Sequence, residues 1–497
     1  MKKILFGLVL FIYSLSFSQT QNGAYTAVGK GVATTFLTDY QCLGVNASAL
    51  GYELEYEKKS ITFGTSEFAG GINSTALNKD KLRDLTNSLK DQIFDENSTS
   101  YNWEQQKEAV ADYAQQGISM HANYNWFGAS FQNRVLGGIA VQVREKYNWF
   151  SELNEETTDL IFRGQFSNYF DSLTVVFGTD TSTIANRPDL SSDTLQAVIQ
   201  GNINVPLAVS EITAGSKIKL RWDREWNIGY GRKVFGNPNK LALYVGVSAR
   251  YIQSMAYFDL ESDGNNINVR SSISPTYNIN YGVAALTNPS AAVQNIRNFP
   301  ENVGRGYGYD LSASVKMAKI FTFAASVNNI GSVTFDRNVY EVKDTLLGNL
   351  SINALSDGNI TESINQLVNG NGLLTLVGKE EYKVKNAANF RLGGSIKPFK
   401  MLNVGIDIVA PFDKDAPGNI QNAIISVGGD FRPFKWLQIS AGYFGGGIYQ
   451  NNIPVGINFI LKDGGYEFGI SSADALNFFT QDSNSLSTAF GFARFRI

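Results

Sequence analysis

The chain is 497 residues long, carries a formal net charge of -3, and contains one histidine and one cysteine. A single Cys excludes an internal disulfide framework and any zinc cluster built on thiolates. Without a basic excess there is no field to hold nucleic acid, and beyond the N-terminus no apolar run reaches the roughly 18 residues of a spanning helix.

Lys2 and Lys3 precede an almost wholly apolar stretch, Ile4 to Phe17, and Ser16-Phe17-Ser18 places small residues where a signal peptidase reads. This layout predicts a secretory signal peptide over residues 1–18, with Gln19 opening the mature chain. A lipid-modified N-terminus needs Cys at the cleavage point, and Cys42 lies well downstream. The next segment, 19–50, is rich in Gly and Ala, and strands begin after it. Lys79 to Gln116 reads as helix, because Leu82, Leu85, Leu89 and Ile93 recur near 3.6 residues. This helical insertion, near 77–116, either binds a partner or caps the fold.

Strand patterns follow over Val135 to Trp149, Leu241 to Phe258 and Ile267 to Tyr281. Between them, Glu155 to Phe170 reads as a short helix and Asp171 to Thr213 as an extended polar loop. Asp259-Leu260-Glu261-Ser262-Asp263-Gly264-Asn265-Asn266 has acidic spacing that suggests calcium, but the terminal bidentate Glu of an EF-hand is missing. Asp263-Gly264 between two strand-like runs is more simply a hairpin turn. No metal and no cofactor is expected.

The C-terminal half alternates strictly. Tyr307, Tyr309, Leu311, Ala313, Val315 and Met317 are separated by Gly308, Asp310, Ser312, Ser314 and Lys316, so the apolar side chains share one face. Similar runs surround Leu392, Ile406, Ile439 and Ile457. Their polar face carries Arg391, Lys397 and Asp407, which a lumen tolerates and a dry core does not. Lys397-Pro398-Phe399-Lys400-Met401-Leu402 reappears as Arg432-Pro433-Phe434-Lys435-Trp436-Leu437, with a looser copy at Lys316 to Phe321. Each copy is a tight turn between strands, where Pro is tolerated. The last strand runs to Ile497.

These patterns predict an all-β fold with minor helix. It is a closed antiparallel transmembrane β-barrel of about 14 strands over residues 51–497, with long loops, in a bacterial outer membrane. Short turns at Pro398, Pro433, Ala318 and Gly464 would face the periplasm, and the segment from about Ser332 to Lys385 would face outward.

Gly29-Lys30-Gly31-Val32-Ala33, Asp39 and Asn46-Ala47-Ser48-Ala49-Leu50 resemble the N-terminal segment of the long-chain fatty-acid-transporter type of outer-membrane barrel. Members of that family carry Asn-Pro-Ala-x-Leu there; in this chain Ala47 stands in the Pro position and Ser48 in the Ala position. Val327-Asn328-Asn329-Ile330-Gly331, Gly137 to Arg144 and Leu160 to Gly164 resemble an uncharacterised Bacteroidota family of barrels. The resemblance implies that residues 23–50 form a lumenal plug, with Asp39, Asn46 and Leu50 as its contacts to wall or ligand. It also implies passage of small hydrophobic or amphipathic compounds, by way of an apolar pocket beside the plug. Other relatives are non-transporting partners in type nine secretion or barrel assembly, so a barrel subunit of such a complex is the alternative. Expected partners are therefore outer-membrane lipid, a hydrophobic small molecule, or secretion or assembly proteins. His121, the sole histidine, would need a Ser and an Asn at hydrogen-bond distance to serve a hydrolase. No local motif supplies them, and no enzyme is expected.

Overall fold

The computed structural model describes residues 23–54, 56, 59–74, 117–187, 189–295, 299–351, 374–414, 416, 422–446, 449–475 and 485–497. The expected signal peptide at 1–18 and the expected helix at 79–116 lie outside the described residues.

Among the described residues, fourteen antiparallel strands form the wall: β1 (Ile61–Ser74), β2 (Ile118–Asn133), β3 (Gly137–Glu152), β4 (Lys217–Asn237), β5 (Leu241–Ser262), β6 (Gly304–Met317), β7 (Phe321–Phe335), β8 (Asn389–Phe399), β9 (Leu402–Pro411), β10 (Ile424–Phe434), β11 (Leu437–Gly446), β12 (Val455–Leu461), β13 (Tyr466–Ser472) and β14 (Ser485–Arg496). Each pairs with the next in chain order, and β1 pairs with β14 from Thr62↔Arg496 to Asn73↔Ser485, which closes the ring. Closure leaves no free edge in the wall, as a bilayer requires.

The period of two decides what each face meets. In β6, Tyr307, Tyr309 and Leu311 point outward and are more than half exposed, while Asp310 points inward and is 3% exposed. The outward set continues with Phe63, Ile228, Val247, Phe323, Ile406, Val427 and Ile470, all exposed. An apolar surface of this extent suits lipid, and the fold is a transmembrane barrel of the outer-membrane type.

The alternation changes phase at one level of the wall. Ser66 of β1, Trp126 of β2 and Phe492 of β14 each fall between paired neighbours: Thr65 faces Phe127 and Ala493, and Glu67 faces Asn125 and Gly491. Each strand carries one extra residue there, so the register is equal above and below. Ser66 adopts a φ of 56°. In β1, Thr62 and Gly64 face inward below this row and Glu67 and Ala69 above it. A run of adjacent bulges thus re-aims Glu67 into the lumen.

β4 has 21 residues and β5 has 22, twice the roughly 9–11 needed to cross a bilayer. Their far halves leave the wall and form a cap. Leu220, Phe258 and Leu260 pack there with Val269, Ile273, Tyr281 and Tyr340. The run expected as one strand from Ile267 to Tyr281 is a strand only over Ile267–Ile273, followed by a 3-10 turn at Pro275–Tyr277. It pairs with the projecting half of β5 and with Val339–Lys343, not with the wall. Counting it as a wall strand breaks the up-down parity.

Glu155–Arg163 is helical, as the sequence suggests, with Asn154 accepting from the Thr157 amide at 2.6 Å as its N-cap. Asp171 to Thr213 differs from the expected loop. It holds strands Ser172–Phe177, Asp180–Ala185 and Val198–Ala208, which join Leu346–Leu350 in a four-stranded sheet. Few apolar residues suffice for it: Leu173, Val175, Val198 and Phe166 form its core. The Asp263 carboxylate accepts from the amides of Asn265 (2.9 Å) and Asn266 (2.7 Å), the signature of a hairpin turn.

Candidate functional site: the barrel interior

Residues 23–52 fold as short 3-10 and helical turns against the inward face of the wall, and almost all of them are buried. Two physical devices hold them there. The first is close backbone approach. A Cβ at Gly428 or Gly442 would fall 1.9 Å or 2.2 Å from the Lys30 carbonyl oxygen, and one at Gly246 would fall 2.2 Å from the Ser48 amide. Gly64 and Gly128 likewise open a notch for the Tyr40 ring. Wall glycines on β1, β2, β5, β10 and β11 therefore admit the segment where any side chain would exclude it.

The second device is charge. Lys30 donates to Asp430 of β10 at 2.7 Å, and Ser440 of β11 donates to the same carboxylate at 2.6 Å. Asp407 of β9 accepts from the amides of Ala33 (2.6 Å) and Thr34 (2.8 Å) and from the Thr34 hydroxyl (3.0 Å). Asp39 accepts from Arg494 of β14 and lies 4.0 Å from Arg496. Tyr40 donates to Glu67 of β1 at 2.5 Å, and Gln41 donates to the same oxygen at 3.0 Å. On the opposite wall, Ser326 of β7 donates to the Val45 carbonyl at 2.6 Å. Buried charges tolerate removal from water only when paired in this way.

A second network joins the strands themselves. Glu225 of β4 receives Arg144 (2.7 Å) and Lys146 (3.0 Å) of β3 and Arg250 of β5 (3.4 Å). Arg250 continues to Asp310 of β6 at 2.5 Å, and Asp310 also accepts from the Asn329 amide at 2.6 Å.

Two cavities flank the segment. One of about 90 Å³ opens toward the long connections beside Arg144, Lys146, Arg221, Asp223 and Glu225. The other, about 250 Å³, lies at the short-turn end beside Lys30, Lys316, Asp430, Glu467 and Arg494. Both are lined chiefly by charged and polar side chains, in contrast to the apolar pocket expected beside the segment. The alternation is the reason, since it assigns the apolar members of each strand to lipid and leaves polar ones for the interior.

A family described as of unknown function, DUF5723, matches residues 169–463. The chain belongs to this family. No curated protein matches it. Among solved structures it is similar to the Pseudomonas putida toluene transporter TodX, at 10% identity over 97% of this chain and 98% of that one, with a TM-score of 0.41. It is also similar to a Pseudomonas aeruginosa FadL homologue (10% identity, 97% of each chain, TM-score 0.37). An outer membrane phospholipase from Salmonella typhi shows 8% identity over 87% of this chain and 90% of that one, with a TM-score of 0.24.

In this DUF5723 barrel the three residues singled out from sequence all lie in the interior segment. Asp39 meets β14, as described above. Asn46 donates to the Thr34 carbonyl at 2.8 Å and to Ser314 of β6 at 3.2 Å, while accepting from Ser48 at 2.5 Å. Leu50 packs in the notches at Gly138 and Gly231. Sequence reasoning missed Glu67, Arg250, Asp310, Glu467 and Arg494. A signal was available for Asp310, a charge at an alternating position of a clear strand. None was available for Glu67, which strict alternation from Ile61 places on the lipid face. His121 is buried on β2 near Gly71, and among the described residues its ring makes no hydrogen bond.

Proposed function

We propose that the protein is an outer-membrane channel for small hydrophobic or amphipathic compounds, in which residues 23–52 act as the plug. The observation that supports this most directly is the pair of cavities, one on each side of the segment, along the axis of a closed ring. A lumen occupied in this way blocks free diffusion, and passage requires the segment to yield. The charged lining favours amphipathic solutes over pure hydrocarbons, because a polar group can replace the hydrogen bonds of displaced water. The test is single-channel recording in planar bilayers with the intact chain and with residues 23–52 removed. A near-silent intact protein and an open-pore current after removal are expected; equal currents would overturn the plug. Uptake of a labelled amphiphile by expressing cells, absent without the protein, tests transport itself.

A second reading, a subunit of a secretion or assembly complex, draws support from the small outer sheet. Among the described residues its strand Asp180–Ala185 pairs on one side only, and it is largely exposed, an edge suited to strand addition. Co-purification of a stoichiometric protein from detergent-solubilised membranes would favour it.

A further inference from the structure

Thirteen of the fourteen junctions between wall strands join neighbours along the chain, whereas β1 and β14 are the first and last wall strands and pair without a connection between them. That ladder is interrupted at Ser66 and Phe492, midway along its length. Three consecutive residues of the interior segment reach both sides of this break. Asp39 holds Arg494 of β14 and approaches Arg496. Tyr40 and Gln41 hold Glu67 of β1. The grip widens on each flank: Asn125 of β2 donates to Glu67 at 3.2 Å, and Arg494 and Arg496 donate to Glu467 of β13 at 3.0 Å and 2.6 Å.

Local backbone makes this possible. Asp39 adopts a φ of 53°, a left-handed conformation uncommon outside glycine that Asp accommodates better than most residues. The bend sends the Asp39 carboxylate to β14 and the Tyr40 ring to the glycine notch of β1 and β2. Glu67 and Arg494 face inward because the extra residues shift the phase of their strands. The bulges that weaken the ladder are thus the same features that present its two grips.

We propose that Asp39, Tyr40 and Gln41 form an internal clasp that closes the barrel at its seam, so that insertion of the N-terminal segment and pairing of the first and last strands are coupled. This role is independent of whether any solute passes.

Hydrogen–deuterium exchange of the purified full chain tests it. The double variant Asp39→Asn, Tyr40→Phe should speed exchange in peptides of β1 and β14 by roughly tenfold or more, the scale set by losing a charge-assisted hydrogen bond. Asp407→Asn loosens the same segment at β9, on another part of the wall, and should leave β1 and β14 at their original rate. Unchanged seam peptides in the double variant, or equal acceleration by Asp407→Asn, would overturn the clasp. If the double variant does not fold, Phe68→Cys with Phe490→Cys is added. These residues are directly paired, with ring centroids 5.4 Å apart, and opposed strand positions fit disulfide geometry. Recovery of a heat-modifiable band on unboiled gels under oxidising conditions supports the clasp; failure to recover contradicts it.

Discussion

The interior segment and the small outer sheet are both additions to the same wall, yet they are fixed in place differently. The outer sheet buries Leu173, Val175, Val198 and Phe166 in a core of its own, and its stability comes from removing apolar surface from water. The segment at 23–52 also buries apolar side chains, Leu37, Leu43, Val45 and Leu50 among them, but in a cluster made mostly of its own residues, because the wall has turned most of its apolar side chains to lipid. Its place against the wall is fixed by paired charges and by glycine notches that let backbone touch backbone. Inside a membrane barrel, position has to be specified by polar complementarity, and each unmatched group is costly.

The contrast can be broken from either side. Arg494→Met should have the largest effect, about 3–5 kcal/mol, since it leaves the Asp39 carboxylate without its main partner and takes one of two arginines from Glu467; chemical denaturation of the folded barrel in detergent reads it. Leu173→Ala should cost the outer sheet about 2–4 kcal/mol through lost burial and a cavity. Limited proteolysis between residues 171 and 213 should rise, while the unfolding midpoint of the wall stays put. A fall in that midpoint would mean the sheet is not a separate cooperative unit.

Smaller changes sharpen the picture. Gly428→Ala forces a Cβ into the Lys30 carbonyl and should cost about 1–3 kcal/mol by overpacking. Protease cleavage within 23–52 should increase without any change in the outer sheet. The smallest effect belongs to Asp263, whose carboxyl is held below its usual range by the Asn265 and Asn266 amides. Its folded pKa is depressed, so its contribution is present above about pH 4, the unfolded value, and is lost as pH falls through the folded one. Asp263→Ala should quicken amide exchange at Asn265 and Asn266 and leave the melting of the wall unchanged.

The wall was legible in the sequence wherever alternation ran unbroken, as from Tyr307 to Met317 and around Ile439, because one side of each strand must meet lipid. Legibility ended where strands leave the bilayer. Ile267–Ile273 carries strand chemistry, but only its pairing with the projecting half of β5 shows that it belongs to the cap. The sheet within 171–213 was hidden because its exposed Ser, Thr and Asp outnumber its core residues. In the interior, Asp39, Asn46 and Leu50 stood out through a motif in one short stretch. Their partners are hundreds of residues away, as with Asn46 and Ser314 or Asp39 and Arg494, and no local pattern links such positions.

The shared row of extra residues at Ser66, Trp126 and Phe492 has a consequence for how the gene can change. Deleting the Ser66 codon alone would offset β1 against both neighbours, whose extra residues would lose their counterpart, and turn half its side chains to the other face. Deleting all three together would restore one register, but Glu67 and Arg494, which lie on opposite sides of the row, could no longer both face inward. At this row the length of β1 is therefore tied to the lengths of β2 and β14.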